Sequence, residues 1–174
     1  MTTASKPIPV VRLLSDEAYR RIDREVAKYP PDQKQSAVMA SLAIAQEERG
    51  WVSPEVIDDV ADYLSMPPIA VYEVATFYNM YNTRPVGTWK IGVCTCLPCA
   101  LREGDKAGEY LKQKLGIDYG ETTPDGRFTL IETECLGSCA DAPICLINDR
   151  RVESFMDNAR LDGLIDELTQ KGQG

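Results

Sequence analysis

The sequence predicts an α+β protein in two parts: an N-terminal four-helix bundle over residues 12–82, then an α/β domain over residues 88–170. Three observations carry that reading. Apolar residues recur at helical spacing in four successive runs, each bounded by capping residues, proline or glycine. The pattern changes at Asn82-Thr-Arg-Pro-Val-Gly87, a loop of turn formers that marks the boundary. Beyond it, strand-like and helix-like stretches alternate, and cysteines cluster at their junctions as Cys94-x4-Cys99 and Cys135-x3-Cys139.

The elements follow in order. Residues 1–11 are polar and contain proline, which predicts a mobile leader. In the first helix, Ser15 supplies the cap, Asp16 and Glu17 the first-turn carboxylates, and Tyr19, Ile22 and Val26 the apolar repeat. Pro30-Pro31 ends it. A second helix is expected from near Asp32, with Val38, Leu42, Ala43 and Ala45 on one side, until Gly50 stops it. Ser53-Pro54 restarts the chain as a cap with proline at the first helical position, and Val56, Ile57, Val60, Ala61 and Leu64 form the next stripe. Ser65, Pro67 and Pro68 separate it from a fourth helix through Tyr72, Ala75, Phe77 and Tyr78.

In the second part, Thr88 to Val93 reads as a strand running into Cys94. A helix opens at Pro98, turns Leu101, Ala107, Leu111 and Leu115 toward a core, and closes at Gly116. A loop around Thr123-Pro-Asp-Gly126 precedes a strand from Phe128 to Glu134. Ile144 to Ile147 and Arg151 to Ser154 form a hairpin over Asn148-Asp149-Arg150, and a last helix from about Asn158 to Gln170 carries Leu161, Leu164, Ile165 and Leu168. Strand, helix, strand, hairpin and helix is the order of a thioredoxin-like α/β domain, with a cysteine-bearing loop where that fold usually has its second helix.

Composition narrows the function. A formal net charge of −8 and a pI near 4.6 argue against nucleic-acid binding, which needs a basic face, and favour a partner with a basic region. No stretch approaches the roughly 18 to 20 apolar residues of a membrane span. The start, MTTASKPIPVVR, lacks both the apolar core of a secretion signal and the arginine and serine content of a transit peptide. These readings lead to the expectation of an intracellular chain, bacterial or already mature. In a reducing compartment the six cysteines read as metal or redox groups rather than a disulfide framework.

Two tight thiol pairs in a chain with no histidine make a candidate four-sulfur metal site. Each pair follows a strand, so both loops are expected at the same end of the sheet. Cys99 falls in the first turn of a helix, where amide groups favour thiolate. Cys135 and Cys139 lie in Glu134-Cys-Leu-Gly-Ser-Cys-Ala-Asp-Ala-Pro143, whose small residues let backbone N–H groups approach sulfur. Three chemistries fit. A [2Fe–2S] cluster takes two thiolates per iron, one pair each. A structural zinc takes four, usually from Cys-x2-Cys knuckles rather than these x4 and x3 spacings. A thiol oxidoreductase would use Cys96-Leu-Pro-Cys99 and leave Cys135 and Cys139 without a role. Spacing and context favour the cluster while leaving the other two open.

The remaining features have plainer readings. Cys145, within Ile144-Cys-Leu-Ile147, reads as a small buried hydrophobe, whereas Cys96 stands inside the first loop, able to replace a neighbour if that loop shifted. Tyr72, Phe77, Tyr78 and Tyr81 either pack the helices or form a partner-binding face, and Trp51 and Trp89 read as core anchors. The chain carries no paired acid–base carboxylates, phosphate loop or dinucleotide fingerprint, so no independent catalytic site is expected.

The residues assembled resemble a known family. Val93-Cys-Thr-Cys-Leu-Pro-Cys99 and Glu134-Cys-Leu-Gly-Ser-Cys-Ala-Asp-Ala-Pro143 are similar to the two cluster loops of thioredoxin-like [2Fe–2S] ferredoxins. Gly120-Glu-Thr-Thr-Pro124, Phe128-Thr-Leu-Ile-Glu132 and Ala75-Thr-Phe-Tyr-Asn-Met80 are further matches, and the likeness covers about residues 15–170. It implies one [2Fe–2S] cluster on Cys94, Cys99, Cys135 and Cys139. Cys96 departs from the family pattern, which has a non-cysteine residue such as threonine there.

The resemblance also implies a role: an electron-transfer subunit of NADH–quinone oxidoreductase, exchanging electrons with FMN on the partner flavoprotein subunit that oxidises NADH. Other peripheral-arm subunits would be neighbours, on the cytoplasmic side of the inner membrane, with no nucleic acid and no direct membrane insertion. The equivalent diaphorase subunit of an NAD-linked hydrogenase or formate dehydrogenase is the alternative, and a zinc-stabilised assembly module a third reading. Glu132, Glu134 and Asp141 flank the site, and like charge opposes reduction of an already anionic cluster, so a low potential is expected.

Overall fold

A computed structural model describes residues 12–171, so the leader expected over residues 1–11 lies outside the described residues. The chain divides between Pro85 and Val86 into two compact units.

The first unit contains α1 (Asp16–Val26), α2 (Val38–Arg49), α3 (Pro54–Leu64) and α4 (Pro68–Phe77). Local chemistry sets their ends. The Ser15 hydroxyl accepts the N–H of Ala18 at 3.2 Å, and Ser53 accepts that of Val56 at 3.3 Å with Pro54 beside it. Gly50 closes α2 in the left-handed region at φ 81°. Ile22, Leu42, Val52, Val60 and Val71 are fully buried in one core.

Two details of this unit depart from the sequence reading. A 3-10 turn over Lys34–Ala37 precedes α2, because Gln33 makes no side-chain cap and the chain tightens before a full helical turn closes. Ala43 faces solvent, and Ser41 and Ile44 take buried places instead. Ala43 lies one residue, about 100° of helix, away from Leu42. Ser41 is tolerated because its hydroxyl donates to the carbonyl of Ala37 at 2.9 Å.

Asp59 sits within the apolar stripe of α3 at 0% exposure and ties down the segment before α1. Its carboxylate accepts from Arg12 Nη1 and from the Leu13 N–H, each at 3.1 Å, and from the Tyr19 hydroxyl. The aromatic run divides. Tyr81 is buried and donates to the carbonyl of Met39 at 2.8 Å, whereas Tyr72, Phe77 and Tyr78 are exposed.

The second unit contains β1 (Trp89–Cys94), α5 (Leu97–Ala100), α6 (Gly104–Leu115), β2 (Phe128–Thr133), β3 (Cys145–Ile147), β4 (Arg151–Glu153) and α7 (Asn158–Lys171). The sheet order is β2-β1-β3-β4. β1 and β2 run parallel from Trp89↔Phe128 to Cys94↔Thr133, while β3 is antiparallel to both β1 and β4. A parallel neighbour requires a crossover, which α5 and α6 supply. Alternate residues Ile91 and Val93 of β1 point into a core with Leu111, Leu130, Ile147, Leu161 and Leu168.

The single helix expected from Pro98 is two. α5 ends at Ala100 and α6 restarts at Gly104, with Glu103 turned to φ 69° between them. Leu101 falls in that break and is 77% exposed rather than in the core, whereas Ala107 and Leu111 are buried as expected. β2 stops at Thr133 and β3 starts at Cys145, each one residue inside the expected strand. Trp51 and Trp89 are half-buried, less deep than core anchors.

Candidate metal centre

Parallel pairing is what assembles the site. Cys94, the last residue of β1, lies opposite Thr133, the last residue of β2, so the first cysteine loop starts beside the point from which the second departs. Cys99 stands in α5, Cys135 two residues past β2, and Cys139 at the start of a 3-10 turn, Cys139–Asp141. The second loop passes through the cis Ala142–Pro143 bond into β3, and the Ile144 carbonyl accepts the N–H of Cys94 at 3.2 Å. Cys94 and Cys99 are buried beside Ala142 and Ile144, while Cys135 and Cys139 are exposed. Cys145 is buried apart from this group in the hydrophobic core of the unit.

The thiols interact in twos. The thiols of Cys94 and Cys99 share a hydrogen bond, as do those of Cys139 and Cys135, and all four are free cysteines. Each loop also feels the other, since Cys139 acts electrostatically on Cys99, and Cys94 on Cys139. Burial works against ionisation at Cys94, but the backbone N–H groups of Cys96 and Leu136 and the thiols of Cys99 and Cys96 hold it below the ordinary thiol value. Burial and the Cys94 sulfur push Cys99 up to about 12, and burial with Cys135 raises Cys139. Burial, then the Glu134 carboxylate, pushes Cys96 up to about 11, and burial takes Cys145 to about 12.

Backbone geometry supports the sulfurs. Gly137, at φ 77°, turns its N–H onto Cys135 Sγ at 3.4 Å. At Gly104 a β-carbon would stand 2.9 Å from the carbonyl oxygen of Cys99 and 3.0 Å from that of Cys94, so α6 can start against both residues only without a side chain. Sequence reasoning missed Gly104. Its signal was a glycine inside what read as a continuous helix, a place where glycine is disfavoured. The ties between the loops were also missed: Thr95 Oγ1 donates to Glu132 at 2.7 Å, the Thr95 N–H to the Thr133 carbonyl at 3.3 Å, and Cys96 Sγ to Glu134 at 3.6 Å.

Among the described residues, no three His, Cys, Asp or Glu side chains converge on a place that a single ion would occupy. The candidate donors are four thiols in two pairs, one buried and one exposed, with N–H groups directed at Cys94 and Cys135. That set fits a binuclear iron–sulfur cluster, which needs thiolate ligands and draws hydrogen bonds to sulfur.

A sheet of this order, with a cysteine-bearing loop leaving each strand of its parallel pair at one end, is that of a thioredoxin-like domain with four candidate thiol ligands. The sequence matches the family model for thioredoxin-like [2Fe–2S] ferredoxins over residues 22–169, and the chain belongs to that family. It is 44% identical over 143 residues to the E subunit of NADH-quinone oxidoreductase from Rickettsia prowazekii (strain Madrid E), covering 82% of this chain and 80% of that one. It is also 41% identical over 149 residues to the mitochondrial NADH dehydrogenase [ubiquinone] flavoprotein 2 of Dictyostelium discoideum, covering 85% of this chain and 60% of that one. Among solved structures, it resembles a chain of the NAD+-reducing [NiFe]-hydrogenase in the air-oxidised state, with a TM-score of 0.65 and 25% identity. That likeness covers 75% of this chain and 23% of the hydrogenase chain.

Proposed function

We propose that this chain is the electron-transfer subunit of an NADH–quinone oxidoreductase (respiratory complex I), holding one [2Fe–2S] cluster on Cys94, Cys99, Cys135 and Cys139. One observation carries the reading: the parallel register that sets Cys94 beside the end of β2 and so brings both thiol pairs to one end of the sheet. The family and the NADH-quinone oxidoreductase relatives support it. When bound, such a cluster accepts and returns one electron at a time.

The protein's own residues would do the rest. Cys94 and Cys99 are buried and keep water from one side of the site, while Cys135 and Cys139 leave the other side open to an approaching carrier. The N–H of Gly137 offsets negative charge on Cys135. That carrier would be FMN on a partner flavoprotein subunit, since this chain has neither a phosphate loop nor a dinucleotide fingerprint of its own. Among the described residues no helix is long and apolar enough to cross a membrane, and the subunit would reach the cytoplasmic face of the membrane through its complex.

The likeness to the hydrogenase chain supports a second reading, the equivalent diaphorase subunit of an NAD-linked hydrogenase. Purifying the intact complex and asking whether its NADH oxidation is coupled to quinone or to hydrogen separates the two.

The test of the centre itself is iron, sulfide and zinc analysis of anaerobically purified protein, with electron paramagnetic resonance before and after dithionite. About two irons and about two sulfides per chain, silent as purified and paramagnetic on reduction, are expected. About one zinc with no signal, from cells able to build clusters, would make the domain a structural module instead.

A further inference from the structure

The first loop holds three thiols, Cys94, Cys96 and Cys99, where the proposed centre takes two. A third thiol beside an iron site is a competing ligand unless something occupies it. The Cys96 Sγ–H donates to Glu134 Oε2 at 3.6 Å, across the gap between the two ligand loops. It is the second rung of a ladder. One residue earlier Thr95 Oγ1 donates to Glu132 Oε1 at 2.7 Å, so successive residues of the first loop meet a carboxylate within β2 and one just past it. Glu132 lies in β2 and Glu134 one residue past its end, so the two carboxylates flank Thr133 at the point where the second loop departs. The Thr95 N–H, donating to the Thr133 carbonyl at 3.3 Å, holds the register between the rungs. Cys94 and Cys99 are buried and share a thiol hydrogen bond, whereas Cys96 is half-buried.

We infer that Glu134 is a positioning residue that selects the ligands: by accepting the Cys96 S–H it turns that thiol away from the centre and leaves Cys94 and Cys99 as the donors of the first loop. This rests on the cluster reading proposed above.

The experiment compares wild type, E134A, E134Q and the double variant E134A/C96S as anaerobically purified full-length chains. Two readouts are independent of electron-transfer activity: the paramagnetic resonance line shape of the reduced centre, and mass-spectrometric mapping of which cysteines alkylate in the iron-loaded protein. In wild type a single spectral species and an alkylatable Cys96 are expected. E134A should show a second species with Cys96 partly protected, and C96S in that background should return the spectrum to one species. E134Q removes the charge but keeps an oxygen acceptor, so it should stay a single species. Glu134 is exposed, and circular dichroism on E134A checks that its fold is retained; E134Q supplies the comparison if it is not.

An E134A spectrum and alkylation pattern identical to wild type would overturn the assignment. So would a second species that persists in E134A/C96S, or one that appears equally in E134Q. A wild-type chain that takes up no iron and sulfide would instead overturn the cluster reading on which the assignment rests, and the two failures are told apart by metal analysis of wild type alone.

Discussion

Gly104 meets Cys99 backbone to backbone: a β-carbon at Gly104 would stand 2.9 Å from the carbonyl oxygen of Cys99. The start of α6 is thereby seated on the loop that carries two of the proposed ligands. Neither atom belongs to a movable side-chain end, so a substitution there displaces main chain. Gly104→Ala should destabilise the second unit by about 1–3 kcal/mol, the usual cost of overpacking, and lower iron and sulfide content in the same protein. Thermal unfolding together with metal analysis checks this. Unchanged values for both would show that α6 is free to shift.

Cys145 and Cys135 should behave oppositely. Cys145 is buried in the core of the second unit, in register with Val93, and Cys145→Ala should keep its cluster while unfolding more easily for loss of packing. Cys135→Ala and Cys99→Ala should purify without the normal centre and with a weakened second unit, because metal binding is coupled to folding. A colourless Cys145 variant would move that residue into the ligand set.

Charge at the end of β2 should set the potential. Glu132 adds negative charge beside the first loop, and reduction adds more, so Glu132→Gln should raise the midpoint read in an equilibrium redox titration. Glu132 is exposed, so solvent screens it and the rise should be small and shrink further with added salt. The amide oxygen still accepts from Thr95, which keeps the loop in place. A fall in the midpoint would contradict the argument from like charge.

Acid stability should show the Arg151–Glu167–Lys171 cluster. Hydrogen bonds from Arg151 and Lys171 hold the Glu167 carboxyl at about 2, well below its value in an unfolded chain. A depressed carboxyl contributes stability that is complete above its unfolded value, near 4.3, and is lost as pH falls through about 2. The stability difference between wild type and Glu167→Gln in urea should therefore be present at about pH 6 and vanish toward about pH 2. The residues are at the surface, where solvent screening keeps the effect modest. A difference that grows in acid would reverse the sign and exclude this pairing as its source.

Element types were largely legible because their determinants are local. Ser15, Ser53 and Gly50 act on backbone groups three or four residues away, and period-two and helical repeats need no knowledge of the rest of the chain. The errors arose where distant contacts override local pattern. Leu101 continues a helical repeat on paper, yet Gly104 packs against the carbonyls of Cys94 and Cys99, and the chain breaks between two helices to permit it. Asp59 lies within the apolar stripe of α3 as a buried acceptor for Arg12, Leu13 and Tyr19. Nothing within a few residues of Asp59 could have shown that, since its partners lie 40 or more positions away.

The four thiols of the proposed centre, and the lack of any histidine to share the work, are properties of the sequence alone: they limit which metals the chain can hold before any fold is known. Which thiols meet is decided by tertiary structure. Parallel pairing of β1 with β2 places Cys94 opposite Thr133, and so brings together loops whose residues are about forty positions apart in the chain. The same pairing carries Glu134 to Cys96, and the antiparallel pairing of β1 with β3 buries Cys145 across from Val93, assigning different environments to cysteines that spacing alone leaves equivalent. Spacing records only separation along the chain, whereas ligation depends on separation in space, and the sheet register converts one into the other.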